Sequence, residues 1–193
     1  MEFQDVVRRR RMVRNFDDRP IDADVVDRLL ANAVRAPSAG FTQGWAFLVL
    51  EGPEQTGRFW EASSPPGQDG ARRRWPGVLR APLIVVCLVS ERAYRDRYAE
   101  ADKAHTDIGA VPWWYVDTGF AALLLLLTAV DAGLGALFFG VADPEGVRAG
   151  FGVPADHMPV GAVAIGHPLP HEPSASLARG RRPLDEVVHR GRW

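Results

Sequence analysis

Phe120-Ala121-Ala122-Leu123-Leu124-Leu125-Leu126-Leu127-Thr128-Ala129-Val130 is apolar on every side when wound into a helix. A helix of that kind is buried, either at the centre of a fold or across an interface between subunits. Asp117 and Asp131 bound the apolar run, which falls well short of the ~20 residues a membrane-spanning helix needs. The expectation is therefore a core helix from Val116 to Ala132, preceded by Trp113-Trp114-Tyr115 and broken by Gly133-Leu134-Gly135.

Working outward from that helix, Leu83 to Val89 is a continuous apolar run that suits a strand at the centre of a sheet. Ala46 to Leu50, Ala136 to Val141 and Val160 to Ile165 read as further strands. Phe3, Val6 and Val7 predict a first helix over Glu2 to Met12. Val25, Val26, Leu29, Leu30, Ala33 and Val34 predict a second, with Pro20 and Asp22 marking its start. Shorter helices are expected over Pro53 to Ala62, Glu91 to Ala101 and, capped by Asp143, up to Ala149. Ser63 to Pro76, rich in Ser, Pro, Gly and Arg, reads as a mobile loop. The tail from Leu169 to Trp193 is polar and Arg-rich, with Leu184, Val187 and Val188 as a candidate docking stripe. Helices and strands alternate with too few regular βαβ units for a doubly wound fold. The fold class expected is α+β, one mixed sheet with helices around it, in a single domain spanning residues 1–193.

Composition narrows the function. With 47% hydrophobic and 24% charged residues the chain is an ordinary globular sequence. Its formal net charge of -1 sets up no global field that would recruit nucleic acid or a membrane. Cys87, the only cysteine, lies in the apolar run and reads as an inert buried thiol, consistent with a reducing compartment. No signal-peptide pattern opens the sequence, so the expected location is cytoplasmic. The histidines show no HExxH motif, Ser38 sits in no Gly-x-Ser-x-Gly elbow, and no GxGxxG follows a strand.

The chemistry concentrates in Arg8-Arg9-Arg10-Arg11-Met12-Val13-Arg14-Asn15-Phe16, with five arginines in seven residues. Guanidinium groups are permanently charged, planar forks that match phosphate oxygens. On a helical end Arg10 and Arg14, four apart, would share one face with Arg11. The stretch thus reads as an anion socket or, more blandly, as a solvated basic face or a polyanion-binding arm.

Further motifs follow in order: Pro37-Ser38-Ala39-Gly40-Phe41-Thr42-Gln43-Gly44-Trp45, the apolar helix, Gly133-Leu134-Gly135-Ala136-Leu137-Phe138-Phe139-Gly140, Gly166-His167-Pro168, and Arg179-Gly180-Arg181-Arg182-Pro183. With the arginine stretch, this succession resembles the nitroreductase family of FMN-dependent oxidoreductases across essentially the whole chain. The resemblance implies a homodimer with two FMN sites at the subunit interface and the apolar helix in the dimer core. It implies NAD(P)H as electron donor, ping-pong exchange, and a flat electron-poor acceptor such as a nitroaromatic or quinone.

Carried over residue by residue, the resemblance assigns Arg10 and Arg14 to the ribityl phosphate, with Arg11 and Met12 in the same region. Met12 stands where the family usually has Ser. Arg179 and Arg181 match the basic pair that completes the phosphate site, with Arg181 favoured because it lies two residues before Pro183. Pro37, Ser38, Ala39 and Gln43 match a flavin-lining loop supplied by the other subunit. In that loop the family's usual Asn is Phe41 and its usual Pro is Gly44. Leu137 and Phe138 match the segment packed on the flavin ring, and a backbone N–H of Phe139 or Gly140 would face flavin N5. Phe41 is either a stacking wall for substrate or a core residue. Trp113 and Trp114 are either the roof of the substrate slot or interface packing. The Phe41 and Trp departures leave room for a specialised relative: a dehalogenase, an enone reductase or a flavin-fragmenting enzyme.

Overall fold

A computed structural model describes residues 1–65, 75–103 and 105–193. Among them are six α-helices: α1 (Phe3–Arg9), α2 (Ala23–Ala33), α3 (Gly52–Ala62), α4 (Glu91–Tyr98), α5 (Trp113–Asp131) and α6 (Pro144–Phe151). They surround a five-stranded sheet of β1 (Phe16–Asp17), β2 (Trp45–Glu51), β3 (Leu83–Val89), β4 (Gly135–Phe139) and β5 (Met158–Pro168). The order is β1-β5-β3-β2, with β4 also paired to β5. Every pair of named strands is antiparallel. The parallel element of the expected mixed sheet is a single bridge between Met12 and Ala136.

The unbroken apolar run at Leu83–Val89 has a direct cause: β3 is buried along its entire length because both faces of the sheet are covered. Ile84, Val86 and Leu88 point into a core with Phe16, Phe59, Trp60 and Val147. Leu83, Val85 and Cys87 point the other way, against Val26 and Leu29 of α2 and Leu125 and Ala129 of α5. Period-two alternation thus feeds two cores at once, in an α/β/α layering.

Helix α5 is longer than its apolar run because Trp113–Tyr115 join it, so by length and composition it could cross a membrane. Its inner face instead packs in the second core, and it carries buried Asp117, Thr118 and Thr128. The opposite face leaves Phe120 and Leu123 exposed at 43% and 44%.

Two helix ends fall short of expectation. Helix α1 stops at Arg9, three residues before Met12, and α4 stops at Tyr98 rather than Ala101. Of the loop read at Ser63 to Pro76, residues 66–74 lie outside the described residues. Its flanks are ordered: the Ser63 N–H donates to the Phe59 carbonyl at 2.8 Å, and Pro76–Arg80 is a 3-10 turn. Leu184, Val187 and Val188 of the tail are all exposed.

Candidate functional site

The arginine stretch is shaped by where α1 ends. At Arg10 the backbone turns to φ -57°, ψ 119°, which is extended rather than helical. Arg10 and Arg14 therefore do not share a helical face, contrary to the spacing argument. Met12 bridges Ala136 instead, and the Val13 N–H donates to the Ala136 carbonyl at 3.0 Å. Val13 can lie this close only because residue 135 is glycine: a Cβ there would sit 2.8 Å from a Val13 methyl carbon. The arginines are thus laid alongside β4.

The far end of the stretch is fixed as firmly. Phe16 and Asp17 pair with Pro168 and His167. The Asn15 carbonyl accepts from the Leu169 N–H at 2.9 Å, and the Asn15 amide donates to the Pro170 carbonyl at 2.7 Å. Arg80 donates to the Phe16 carbonyl at 3.0 Å and to Asn15 Oδ1.

Between these anchors opens a cavity of about 800 Å³, within the ~300–1,000 Å³ usual for small-molecule sites. Arg10, Arg11, Met12, Arg14 and Arg181 line it, joined by the chain that leaves β5 from Pro168 to Leu177. Among the described residues no carboxylate lies on this lining. Arg8, outside the cavity, pairs with Asp5, whereas Arg10, Arg11 and Arg181 pair with no carboxylate among the described residues. Among the described residues Arg14 reaches the Met12 carbonyl, at 3.4 Å, and lies 5.1 Å above the Trp75 ring. Four arginines lining one cavity, with no carboxylate beside them among the described residues, are the donor set a phosphate dianion needs, so the residues fit the phosphate of a flavin mononucleotide. Arg179 closes a 3-10 turn beside it and is not on the lining. His171, Ser174 and Ser176 are on the lining although no sequence motif marked them.

Strand β4 carries the next residues. Leu137 is buried, Phe138 half-buried, and the Phe139 ring stacks on Trp60 at 5.3 Å and meets Phe59 edge-on at 6.1 Å. The chain then emerges at Gly140, which is exposed and has no atom within 4 Å of where a Cβ would stand. Backbone at this point can be approached closely by a ligand.

The loop at 37–45 stands apart from the arginine cavity. Gln43 lines a separate hollow of about 430 Å³ with Gly44, Trp45, Ser90, Arg92 and His157. Within the chain the two groups of sequence-assigned residues do not meet. The loop is strained: Phe41 and Gln43, at φ 54° and 52°, are the only non-glycine residues with positive φ among the described residues. That left-handed region costs an L-residue about 1–2 kcal/mol. Asn tolerates it better than Phe does. The Phe41 ring is 78% exposed, so it is not part of the core of the chain.

A network absent from the sequence reading holds this loop. Asp117, 2% exposed on α5, accepts from the Ala39 N–H and from the Tyr94 hydroxyl, each at 2.8 Å on Oδ2. Burial, then the Asp117 carboxylate, push the Tyr94 hydroxyl well above the ordinary phenol range. Arg97 donates to the Gly40 carbonyl at 3.0 Å and grips Asp102 with two bonds of 2.7 Å. Ser38 Oγ accepts from the Gln43 N–H at 3.0 Å, and the Gly44 carbonyl accepts from the Ser90 N–H at 2.9 Å. Gly44 itself is dictated by Tyr94, whose ring carbon lies 2.4 Å from where a Cβ would be. Any side chain there, proline included, would collide with it. One turn before Asp117, half-buried Trp113 donates to the Ile108 carbonyl at 3.1 Å and Trp114 sits 6.3 Å from the Tyr94 ring. The only signal for the network in the sequence was an acid opening an otherwise apolar helix.

No group of three or more His, Cys, Asp or Glu side chains suited to a metal ion occurs among the described residues. The model of the Nitroreductase family matches residues 7–167 of the chain. A protein of Methanothermobacter thermautotrophicus, provisionally named NADH dehydrogenase/NAD(P)H nitroreductase, is 26% identical over 199 residues, covering 100% of this chain and 88% of the relative. An NADPH-dependent oxidoreductase of Staphylococcus aureus is 26% identical over 194 residues, covering 97% of this chain and 72% of the relative. A protein of Exiguobacterium sibiricum, solved in complex with FMN, superposes with a TM-score of 0.75 at 18% identity, over 98% and 97% of the two chains. With a matching fold, an arginine cavity beside β4 and a family match over most of its length, the chain belongs to the nitroreductase family.

Proposed function

We propose that this chain is an FMN-dependent oxidoreductase that takes electrons from NAD(P)H and passes them, by ping-pong exchange, to a flat electron-poor acceptor such as a nitroaromatic or quinone. The observation that carries the proposal is the cavity lined by Arg10, Arg11, Arg14 and Arg181 with no compensating carboxylate among the described residues. The names of the NAD(P)H-dependent relatives and the FMN complex of a fold neighbour support it.

When bound, FMN supplies the redox chemistry, accepting electrons from one partner and yielding them to the next. The protein's part is to bind and orient. Arg10, Arg14 and Arg181 grip the phosphate, Arg11 and Met12 border it, and Arg179 adds positive charge from the neighbouring turn. Leu137 and Phe138 back the ring plane. The backbone N–H of Phe139 or Gly140 donates to the ring edge at no cost in side-chain reorganisation. Phe139 is held for this by its stack on Trp60.

Pro37, Ser38, Ala39 and Gln43 complete the site from a second protomer, since within one protomer they lie away from the arginine cavity. The exposed face of α5, with Phe120 and Leu123, is the apolar surface a second copy would cover. Phe41, Trp113 and Trp114 border the acceptor slot. A slot of this kind must admit donor and acceptor in turn, so it needs flat apolar walls rather than a protein acid or base.

The test is an initial-rate study of the FMN-loaded protein with NADPH or NADH against a quinone. Parallel double-reciprocal lines are expected. Intersecting lines, or no turnover by a protein saturated with FMN, would refute the proposal.

A further inference from the structure

We infer that Asp117 and Arg97 are positioning residues for acceptor selection, holding the backbone that presents Phe41 so that the chain favours planar aromatic acceptors. The inference rests on the flavin reading above and names residues which that reading does not use.

Three observations carry it. The first is the placement of Asp117. It is a buried carboxylate in an apolar helix, and both of its donors serve one purpose: the Ala39 N–H is in the loop, and the Tyr94 hydroxyl braces the ring beneath Gly44. A carboxylate is costly to bury unless such bonds are made, and here they are spent on the loop.

The second is Arg97. Its Nε–H holds the Gly40 carbonyl while the rest of the fork is immobilised on Asp102. The Tyr98 ring closes under Gly40, 3.0 Å from a Cβ placed there. Residues 39 and 40 are therefore fixed immediately before Phe41. The Gly44 carbonyl, bonded to the Ser90 N–H, fixes the chain just after it.

The third is Phe41 itself. Its φ of 54° is strained, and its ring, 78% exposed, gains no burial in the protomer that would offset the strain. Strained residues persist where their surroundings over-determine them, and they concentrate at ligand clamps. An exposed phenyl on a backbone held from both sides offers a face for offset stacking. An acceptor with a flat aromatic ring gains that contact, and an acceptor without one does not. Releasing either clamp lets residue 41 relax to negative φ and swing its ring away. The phosphate, held by arginines at another place in the fold, is untouched.

The experiment compares two acceptors on FMN-loaded protein: a naphthoquinone, which can stack, and ferricyanide, which cannot. The variants are Phe41→Asn, Arg97→Ala, Asp117→Leu and Asp117→Asn. The first three are expected to lower kcat/KM for the naphthoquinone by about five- to tenfold, the scale of one lost ring stack, and Arg97→Ala and Asp117→Leu to leave ferricyanide turnover within about twofold of the parent. Asp117→Asn keeps an acceptor oxygen for Ala39 and Tyr94 and should restore most of the naphthoquinone rate. Phe41→Asn fits the left-handed backbone, so its melting temperature should not fall. Should Asp117→Leu fail to fold, Phe41→Asn and Arg97→Ala decide the matter. An unchanged ratio between the acceptors in those two variants, or equal losses towards both, would overturn the inference while leaving the flavin reading in place. A parent protein that binds no FMN would overturn both.

Discussion

Replacing Gly44 with alanine would put a methyl carbon 2.4 Å from Tyr94 Cε2, 2.9 Å from Cδ2 and 3.3 Å from the Ser90 carbonyl oxygen. The ring cannot step aside freely. Tyr94 is fully buried and its hydroxyl is bonded to Asp117 at 2.8 Å. Forcing a methyl group into such a contact costs about 1–3 kcal/mol. If the ring yields, it strains a hydrogen bond to a carboxylate of a class worth about 1.5–3 kcal/mol. Taking about 3 kcal/mol as the joint effect, and about 2–4 °C per kcal/mol for a chain of this size, Gly44→Ala should melt about 6–12 °C lower. Calorimetry of the purified protein measures this directly. The cause is isolated by repeating the change in a Tyr94→Leu background, where the ring is gone and the added methyl should cost less than about 1 kcal/mol. A Gly44→Ala protein as stable as the parent, or an equal loss in both backgrounds, would refute the claim that Tyr94 dictates this glycine.

Three other expectations follow from the same geometry. Arg14→Ala combined with Arg181→Ala removes two charge-assisted contacts worth about 1.5–3 kcal/mol each, so FMN affinity by fluorescence titration should fall about 100- to 10,000-fold with the oligomer intact by light scattering. Leu123→Asp, on the exposed face of α5, should yield monomers that lose flavin; a flavin-bound dimer would contradict the assembly proposed. Burial pushes the Cys87 thiol up from 9.0 to about 12, and its stabilising effect as a neutral buried group is complete below pH 9 and lost as pH rises towards 12. Thermal stability should therefore decline above pH 9, less so in Cys87→Ala, and the native thiol should resist alkylation at pH 8.

Much of the fold was legible because its signals are local. Leu83–Val89 is a strand with the bounds its apolar run dictated, and Asp143 caps α6 by accepting from the Gly146 N–H at 2.8 Å. The arginine cluster was legible as chemistry but not as geometry. Helical spacing argued for one face, yet the chain leaves the helix at Arg10 because pairing of Met12 and Val13 with β4 outweighs local propensity. Strand β1, two residues long, is defined only by its partner at 167–168 and has no pattern of its own. The loop network was illegible for a similar reason. Asp117 and Ala39 are 78 residues apart in sequence, and a single buried acid does not announce which distant N–H it will meet. Gly44 looked like a missing proline until the Tyr94 ring supplied the reason.

The most direct test of the account is the visible absorption spectrum of the freshly purified protein, repeated without oxygen after adding NADPH and then NADH. The account predicts oxidised flavin bands at one FMN per chain that bleach with at least one nucleotide. A colourless protein that takes up no added FMN would contradict it, and the four arginines around the cavity would then belong to another anion.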